Sequence, residues 1–248
     1  MSEARKFGAS VPLARLVAEA FLIIISILLA FSLDAWWGAR QEAAEEQDIL
    51  GRLRAEVEAN LAELSERRDA HEKVRRAAEA LLALTGPTAP QDVSEDSVGR
   101  LIWDATAAWS YDPADGVIVS LIGSGRLGII QDDSLRTELA GWPALVSDMQ
   151  EDEEAAWRVV DSRITPFLDR HLAWRTLADL SADSAGSYGP GRSEFPNEVV
   201  ALLQNREFEN LIAGKLDAEE SILSFSQQLV QSLERTLRLI DQQLRSDS

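Results

Sequence analysis

Few residues in this chain are of the types that carry out catalysis, and they are widely spaced. The chain has two histidines, His71 and His171, and no cysteine, which excludes a thiolate nucleophile and a cysteine metal site. Neither histidine follows a glutamate by three residues, as the Glu-x-x-His motif of di-metal helical proteins requires. The hydrolase motif G-x-S-x-G does not occur. We therefore predict no catalytic residue, no metal site and no enzyme activity.

His71 falls on the apolar stripe of a predicted helix. A packed or hydrogen-bonded histidine is favoured there over a catalytic or pH-switching one. Asp69 and Glu72 are its nearby polar neighbours in sequence.

The residues from Gly123 to Gly128 match the phosphate-binding pattern G-x-G-x-x-G, and the preceding VIVSLI is apolar enough for a buried strand. A dinucleotide site also needs a helix that begins at the glycines. Here the next helix start, Asp132-Asp133-Ser134, comes several residues later and is acidic. We favour a glycine-rich turn between helices and predict no cofactor.

A run of acidic residues offers oxygen ligands for a cation. It comprises Asp148, Glu151, Asp152, Glu153 and Glu154. Consecutive helical residues point in different directions, so a solvated helix face is favoured over a metal site. Five tryptophans are interpreted as core or contact residues rather than a binding cage, namely Trp103, Trp109, Trp142, Trp157 and Trp174.

The whole chain is strongly acidic, with 42 acidic and 24 basic side chains and a formal charge of −18. This charge repels the phosphates of nucleic acid, so no nucleic-acid partner is expected. The hydrophobic share of 46% is typical of a chain that buries a core.

Residues 16–37 predict a transmembrane helix. As a helix this segment is roughly 33 Å long, close to the roughly 30 Å of a bilayer's hydrocarbon region. Tryptophans stand at its end, where interfacial aromatic residues belong. The residues assigned to the membrane anchor are Glu19, Phe21, Ile24, Leu28, Trp36 and Trp37. A cleaved signal is the alternative, because Ala30-Phe31-Ser32 resembles a cleavage site, but bulky Phe31 and Leu33 beside that site favour an uncleaved anchor.

Basic residues before the span set its predicted orientation. Arg5, Lys6 and Arg15 favour a cytoplasmic tail, residues 1–15, under the positive-inside rule. Glu19 lies inside the span, where a carboxylate often marks a relay or a helix contact. One turn from the inner end, it also has the simpler option of reaching headgroups or pairing with Arg15.

The rest of the chain predicts helices, and the fold class is all-α. The transmembrane helix is expected to continue into a stalk helix, residues 38–86, packed in an antiparallel helical bundle whose remaining part is residues 87–248. Helix starts are predicted near Ser94, at Asp112-Pro113 and at Asp132, the last of these running with a bend at Pro143 to about Leu172. Residues 181–196 predict a loop.

The last helix, about Glu207 to Leu244, shows the strongest periodicity. Apolar residues recur seven apart with others at intervening positions, and they form the predicted helix-contact face: Leu216, Leu223, Val230, Leu233, Leu237, Ile240 and Leu244. Glu219 and Ser226 interrupt this pattern.

Two blocks resemble a family of bacterial single-pass membrane proteins of uncharacterised function, best known from Bacteroidetes. The first block is Ala18-Glu19, then FLIIISILLAFSL, then Asp34-Ala35-Trp36. The second is Tyr111-Asp112-Pro113 followed by LIGSGRLGIIQDDSLRTEL, from Leu121 to Leu139. The resemblance implies that Gly125 and Leu127 belong to a helical corner, and it implies no catalytic residues. Ala18 and Asp34-Ala35 depart from the family's glycine and asparagines.

These features favour a membrane-anchored scaffold or accessory subunit of a bacterial envelope complex. We expect it in the inner membrane with most of the chain in the periplasm. Its expected partners are the lipid bilayer and either other membrane subunits or further copies of itself, so an oligomer is expected. The alternative is an extracytoplasmic ligand-sensing bundle, which would need a partner to transmit its signal. An export adaptor fits less well, since such adaptors carry β-rich domains.

Overall fold

The structure is all-helical. The computed structural model describes residues 13–88, 92–180 and 191–246, and every regular element within these ranges is a helix. This confirms the predicted fold class at that level. Residues 1–12 of the predicted tail, including Arg5 and Lys6, and residues 181–190 of the predicted loop lie outside the described ranges.

The helices of the described ranges have these bounds. In chain order they are α1 (Leu13–Leu82), α2 (Glu95–Ala105), α3 (Gly116–Gly123), a 3₁₀ turn (Arg126–Ile129), α4 (Asp133–Val159), a π-helical turn (Val160–Ile164), α5 (Thr165–Leu168), α6 (Trp174–Leu180), α7 (Val199–Leu203) and α8 (Arg206–Ser246). Helix α1 contains both the predicted span and most of the predicted stalk. It is bracketed in sequence by Pro12 and by Gly86-Pro87, and it has no internal proline to interrupt its hydrogen bonds.

The chain divides into two compact units, Met1–Gly51 and Arg52–Ser248. The division falls inside the segment 38–86 that the sequence predicts as one stalk helix. In the first unit, α1 provides one candidate membrane span. A window of 18 residues there has a mean hydropathy of 2.2, and none of it is buried.

The apolar side chains of this candidate span are exposed around the helix. Phe21 is 64% exposed, Leu28 59% and Trp37 64%. The hydroxyls of Ser26 and Ser32 donate to the carbonyls of Leu22 and Leu28, each at 2.7 Å, so these polar groups are satisfied within the helix, as an apolar surrounding requires.

In the second unit, several helix starts follow their sequence signals. Ser94 caps α2 by accepting from the Ser97 amide, and Asp132 caps α4 by accepting from the Leu135 amide, because a short polar side chain satisfies a free amide of the first turn. The prediction that Asp112-Pro113 opens a helix is wrong. Helix α3 begins at Gly116 after Asp115, because the amides at its start are satisfied by Glu56 of α1 instead of by a local cap.

The long helix predicted from Asp132 to about Leu172 is divided in the structure. The proline at position 143 lies inside α4, which ends at Val159. A π-helical turn follows and leads into the short α5, which has a proline in its first turn. Pro166 lacks an amide hydrogen, and the wider π-helical turn precedes it. Helices α6 and α7, which flank the predicted loop on either side, were not expected from the sequence.

The main hydrophobic core of the second unit lies where the end of α1 meets α2, α5, α6, α7 and the start of α8. Its fully buried members include Leu81, Ile102, Leu168, Leu203 and Phe208. Helix α2 approaches α6 closely at Gly99, where a Cβ atom would lie 2.8 Å from Leu180 Cδ1. This core holds one end of the second unit together, and the longer helices α4 and α8 extend from it.

Along the rest of the second unit, α8 packs beside both α1 and α4. Arg54 binds Asp241 at 2.9 Å, Arg68 binds Gln227 at 2.8 Å, and His71 binds Glu219 at 2.8 Å. In these pairs the residue number on α8 decreases as the residue number on α1 increases, so the two helices run antiparallel here. Glu138 of α4 accepts from Ser232 and Arg235 of α8, each at 2.9 Å.

Candidate functional site

A cluster of buried charged side chains lies where α1, α4 and α8 meet. His71 Nδ1 is 2.8 Å from Glu219 Oε2, and His71 Nε2 is 3.4 Å from Glu153 Oε1. Lys215 Nζ lies 2.5 Å from the other oxygen of Glu219. All four residues are at most 5% exposed. We call these four residues, His71, Glu153, Lys215 and Glu219, the charged cluster.

Each member occupies a position that helical periodicity directs inward. His71 follows Leu64 and precedes Val74 and Ala78 on the buried stripe of α1, and Glu153 lies between Met149 and Ala156 on that of α4. Lys215 and Glu219 are four residues apart on α8, the spacing that brings two helical side chains together. Buried charges are tolerated when they are paired and hydrogen-bonded.

The charges of the cluster balance when His71 is protonated. Two carboxylates, one ammonium and one imidazolium sum to zero, whereas a neutral His71 would leave one net negative charge in the interior. Because a carboxylate only accepts hydrogen bonds, Nδ1–H of His71 donates to Glu219. Protonated Nε2 faces Glu153, but neither it nor Glu153 Oε1 has a well-aligned hydrogen-bond partner.

The pKa values of the cluster follow from this arrangement. Burial is the largest single influence on His71 and would lower its pKa. The contact with Glu153 at 3.4 Å, the hydrogen bond to Glu219 and the negative charges of both carboxylates together outweigh burial and raise the pKa above its ordinary value. Burial would likewise raise the pKa of Glu219, but His71 and Lys215 outweigh it and lower the pKa. Both shifts favour the charged forms of these groups.

Glu153 connects the charged cluster to residues 107–115, a segment without regular secondary structure. Its Oε2 accepts from the Tyr111 amide at 3.0 Å, and Gln150, one turn earlier, donates to the Tyr111 carbonyl at 3.0 Å. Tyr111 itself is fully buried, and its hydroxyl donates to the Asn60 carbonyl at 3.3 Å. Burial, reinforced by the charges of Glu63 and Glu153, raises the pKa of Tyr111.

Helix α1 holds the same segment through two more side chains. Asn60 donates to the Ala114 carbonyl at 2.6 Å and accepts from the Ala114 amide at 2.8 Å. Glu56 accepts from the amides of Val117 and Ile118 at 2.8 and 3.2 Å. A carboxylate at the start of α3 also suits the positive end of the helix dipole. The segment is therefore fixed between α1 and α4.

A cleft of about 480 Å³ opens between this segment and α4. Its lining residues are Ala108, Trp109, Ser110, Asp112, Gln150, Glu153, Glu154 and Trp157. Trp109 is 44% exposed and Trp157 is 51% exposed, so neither is a core residue, and for these two the interpretation as contact residues stays a prediction. Both line the cleft together with Gln150 and Glu153, which hold the Tyr111 backbone. We call this the tryptophan cleft.

The structure modifies several interpretations of candidate site residues. His71 is packed and hydrogen-bonded, as predicted, but its partners are Glu153 and Glu219 rather than Asp69 or Glu72. The solvated-face interpretation fails for Glu153, which is 5% exposed, and holds for Asp148, Glu151 and Glu154. The sequence signal for Glu219 was its interruption of the leucine pattern. Glu153 had no comparable signal, because it stands among other acidic residues.

The glycine motif lies at a turn, as favoured by the sequence. VIVSLI belongs to α3, not to a strand, and α3 ends at Gly123. Gly125 adopts a left-handed conformation with φ of 68° before the 3₁₀ turn, which glycine adopts without steric cost. Within the described ranges, no group of three or more histidine, aspartate or glutamate side chains is arranged to hold a metal ion.

The predicted contact face of α8 divides into two sets. Leu233 and Ile240 are buried. The residues spaced seven apart are half-buried, and these are Leu216, Leu223, Val230, Leu237 and Leu244. The most buried stripe of α8 instead follows Lys215, Glu219, Ile222, Ser226 and Leu229. We call the half-buried residues the α8 leucine row.

A groove of about 450 Å³ runs beside this row, between α1 and α8. Leu61, Leu223 and Val230 contribute apolar surface, and the charged residues at its edge are Arg68, Asp69, Glu72 and Glu234. The α8 leucine row is half-buried, so these residues border the interior instead of filling it. Their role as a contact face for another helix stays a prediction.

No protein-family model, curated protein or solved structure matches this chain.

Proposed function

We propose that this protein is a membrane-anchored scaffold or accessory subunit of a bacterial envelope complex and that it acts through helix–helix contacts. Residues 16–37 anchor it in the inner membrane, and an antiparallel helical bundle projects into the periplasm. The observation that carries the contact function is the α8 leucine row, five apolar side chains at regular spacing that the chain leaves half-buried.

Three features support this proposal. The row adjoins the groove lined by Leu61, Leu223 and Val230, which offers an apolar surface to a helix of another subunit or of a second copy. Charged residues of both signs border the groove, an arrangement that favours orientation of a partner over nonspecific adhesion. The exposed apolar side chains of the candidate span in α1 supply a surface for lipid.

Photocrosslinking in cells tests the contact surface. A photoreactive amino acid placed at Leu223 or Val230 is expected to give discrete adducts with one partner or with a second copy. The matched control is Gln228, an exposed residue on the same helix that lies more than a quarter turn away from both. Absence of a discrete adduct at both test positions, or equal adducts at Gln228, would contradict the proposal.

Periplasmic placement is tested separately by thiol labelling. A cysteine introduced at Ser65, an exposed residue of α1, should react with a membrane-impermeant reagent in intact spheroplasts. Labelling that occurs only after lysis would overturn this orientation.

Ligand sensing is the second candidate function. The tryptophan cleft favours it, because its volume of about 480 Å³ lies in the range of pockets that bind small molecules and because it shares Glu153 with the charged cluster.

A further inference from the structure

We infer that the C-terminal end of the candidate span binds the phosphate group of an anionic phospholipid through Arg40, which is held over the ring of Trp36. This inference rests on the proposed membrane anchor, residues 16–37, and adds a specific lipid to its partners. It does not depend on the contacts proposed for α8.

Arg40 is an exposed arginine whose hydrogen-bond donors are open to a ligand. Its guanidinium carbon lies 5.8 Å from the centre of the Trp36 ring, within the roughly 6 Å at which a cation and an aromatic ring attract each other. Within the described ranges, Arg40 makes no ion pair with a carboxylate. A guanidinium carries five N–H donors in one plane, so a ring on one face leaves the edges of that plane open to acceptors.

The position of Arg40 along α1 places it at the level of lipid headgroups. The helix rises about 1.5 Å per residue, so the Cα atom of Arg40 lies about 6 Å beyond that of Trp36, which stands at the interfacial end of the span. The headgroup layer on each side of a bilayer is roughly 5–8 Å thick. Helical side chains also lean towards the N-terminus of their helix, which turns the guanidinium back towards the bilayer.

The neighbours of Arg40 on its own face of α1 are aromatic or apolar. At about 100° per residue, Trp36 lies about 40° and Trp37 about 60° from Arg40 around the helix. The acidic residues of this stretch lie on other faces, each about 120° or more away, and these are Asp34, Glu42, Glu45 and Glu46. An anion at Arg40 therefore meets one cation and two aromatic rings.

A phospholipid matches this arrangement better than a soluble anion does. Guanidinium and phosphate groups form paired N–H···O hydrogen bonds. Leu33 and Leu29 lie on the same face as Arg40, about two and three turns earlier, and each is 65% exposed. The acyl chains of a bound lipid would cover these leucines, and a soluble phosphate would gain no such contact. An anionic lipid is favoured over a zwitterionic one, because the ammonium group of the latter competes with Arg40 for the phosphate.

Native mass spectrometry of the full chain in a neutral detergent tests this inference. Equal amounts of phosphatidylglycerol and phosphatidylcholine with identical acyl chains are added, and the bound lipids are counted. We expect phosphatidylglycerol to be enriched about fivefold, the effect of one basic residue at an anionic lipid surface. The formal charge of −18 on the whole chain opposes this preference, so the enrichment would have a local origin.

Two variants assign the binding to this site. Arg40→Gln should abolish the enrichment, because it removes the charge. Trp36→Leu keeps an apolar side chain and should lower the enrichment about twofold, because the guanidinium loses the ring that holds it. The matched control is Arg206→Gln, which removes the same charge from an exposed arginine of α8 and should leave the enrichment unchanged.

Several outcomes would overturn the inference. These are equal binding of the two lipids, unchanged enrichment in Arg40→Gln or Trp36→Leu, and an equal loss in Arg206→Gln. Displacement of the bound lipid by millimolar glycerol 3-phosphate would also overturn it, because the site would then recognise a soluble phosphate.

Failure of this inference and failure of the proposed anchor are distinguishable. Protein without the lipid preference that still stays with carbonate-washed membranes would refute the lipid site and leave the anchor in place. Release by carbonate would refute the anchor itself.

Discussion

Replacement of His71 by leucine should destabilise the second unit strongly. The change removes the cation between Glu153 and Glu219, together with the 2.8 Å hydrogen bond to Glu219. Removing one partner of a buried ion pair typically costs about 3–5 kcal/mol, since the remaining charge stays buried without compensation. This is a large share of the roughly 5–15 kcal/mol that stabilises a folded domain.

Urea unfolding followed by far-ultraviolet circular dichroism, in a neutral detergent, would measure this loss. The matched control is Lys73→Met, which removes a cation two residues away on the same helix. Lys73 binds Asp104 at 2.9 Å but is 63% exposed, so its removal should cost at most about 1 kcal/mol. If His71→Leu costs no more than Lys73→Met, the cluster does not hold buried charges as described.

A double variant tests whether the loss in His71→Leu arises from the unpaired charge of Glu153. In His71→Leu combined with Glu153→Gln, the uncompensated carboxylate is gone, and Lys215 still balances Glu219. We expect the double variant to be more stable than His71→Leu alone, a non-additivity that marks direct coupling. Simple additivity of the two losses would refute the pairing of His71 with Glu153.

The pH dependence of stability follows from the same pair of shifts. The pKa of folded His71 is raised, so its contribution is complete below the unfolded pKa of about 6.5 and is lost as pH rises through the folded value. The pKa of folded Glu219 is lowered, so its contribution is present above about 4.5 and is lost as pH falls through the folded value. The free energy of unfolding should therefore decline at alkaline pH, where His71 loses its proton, and at acid pH, where Glu219 gains one. Each group should contribute at most about 1.4 kcal/mol per pH unit. In His71→Leu the contribution of His71 to the alkaline decline should disappear, and an unchanged alkaline decline would contradict this origin.

Three further predictions concern local structure. Glu56→Ala should lower the free energy of unfolding by about 1–3 kcal/mol, because it leaves two amides of α3 without their acceptor. Hydrogen exchange at these two amides should accelerate. Unchanged exchange would argue against the contact. Gly125→Ala should lower the free energy of unfolding by about 1 kcal/mol, because Gly125 has a positive φ. Gly128→Ala should leave it nearly unchanged, because position 128 has open space for a Cβ atom and no positive φ. Equal urea midpoints for the two variants would count against the left-handed turn. Phe208→Ala should lower the free energy of unfolding by about 3–5 kcal/mol, because it leaves a cavity in the core. Phe195→Ala should leave the free energy of unfolding in urea almost unchanged, because Phe195 is exposed. A similar loss in both variants would contradict the assigned core.

The sequence predicted the elements whose signals are local. Ser94 and Asp132 mark helix starts through side-chain caps, and the long periodic pattern of the last helix gives α8 with bounds of Arg206–Ser246. Helices α6 and α7 were missed because they are short and flank a segment rich in glycine, serine and proline. The start of α3 was misplaced because Glu56, its acceptor, is about 60 residues away in sequence.

The charged cluster illustrates what sequence patterns omit. Lys215 and Glu219 stand one turn apart and could be paired by inspection, and Glu219 interrupts an otherwise apolar pattern. Glu153 could not be separated from its acidic neighbours, because its burial depends on which face of α4 meets α1 and α8. His71 was placed on a buried stripe, but its partners lie 82 and 148 residues away. The tryptophan cleft depends on the same tertiary arrangement.

Retention of residues 16–37 in the bilayer is tested most directly by the intact mass of protein recovered from carbonate-washed membranes. An uncleaved anchor predicts that the protein stays with the membranes and that its mass corresponds to the full chain of 27.3 kDa. Release by carbonate, or a mature chain that begins near Leu33, would contradict the anchor and the placement proposed from it.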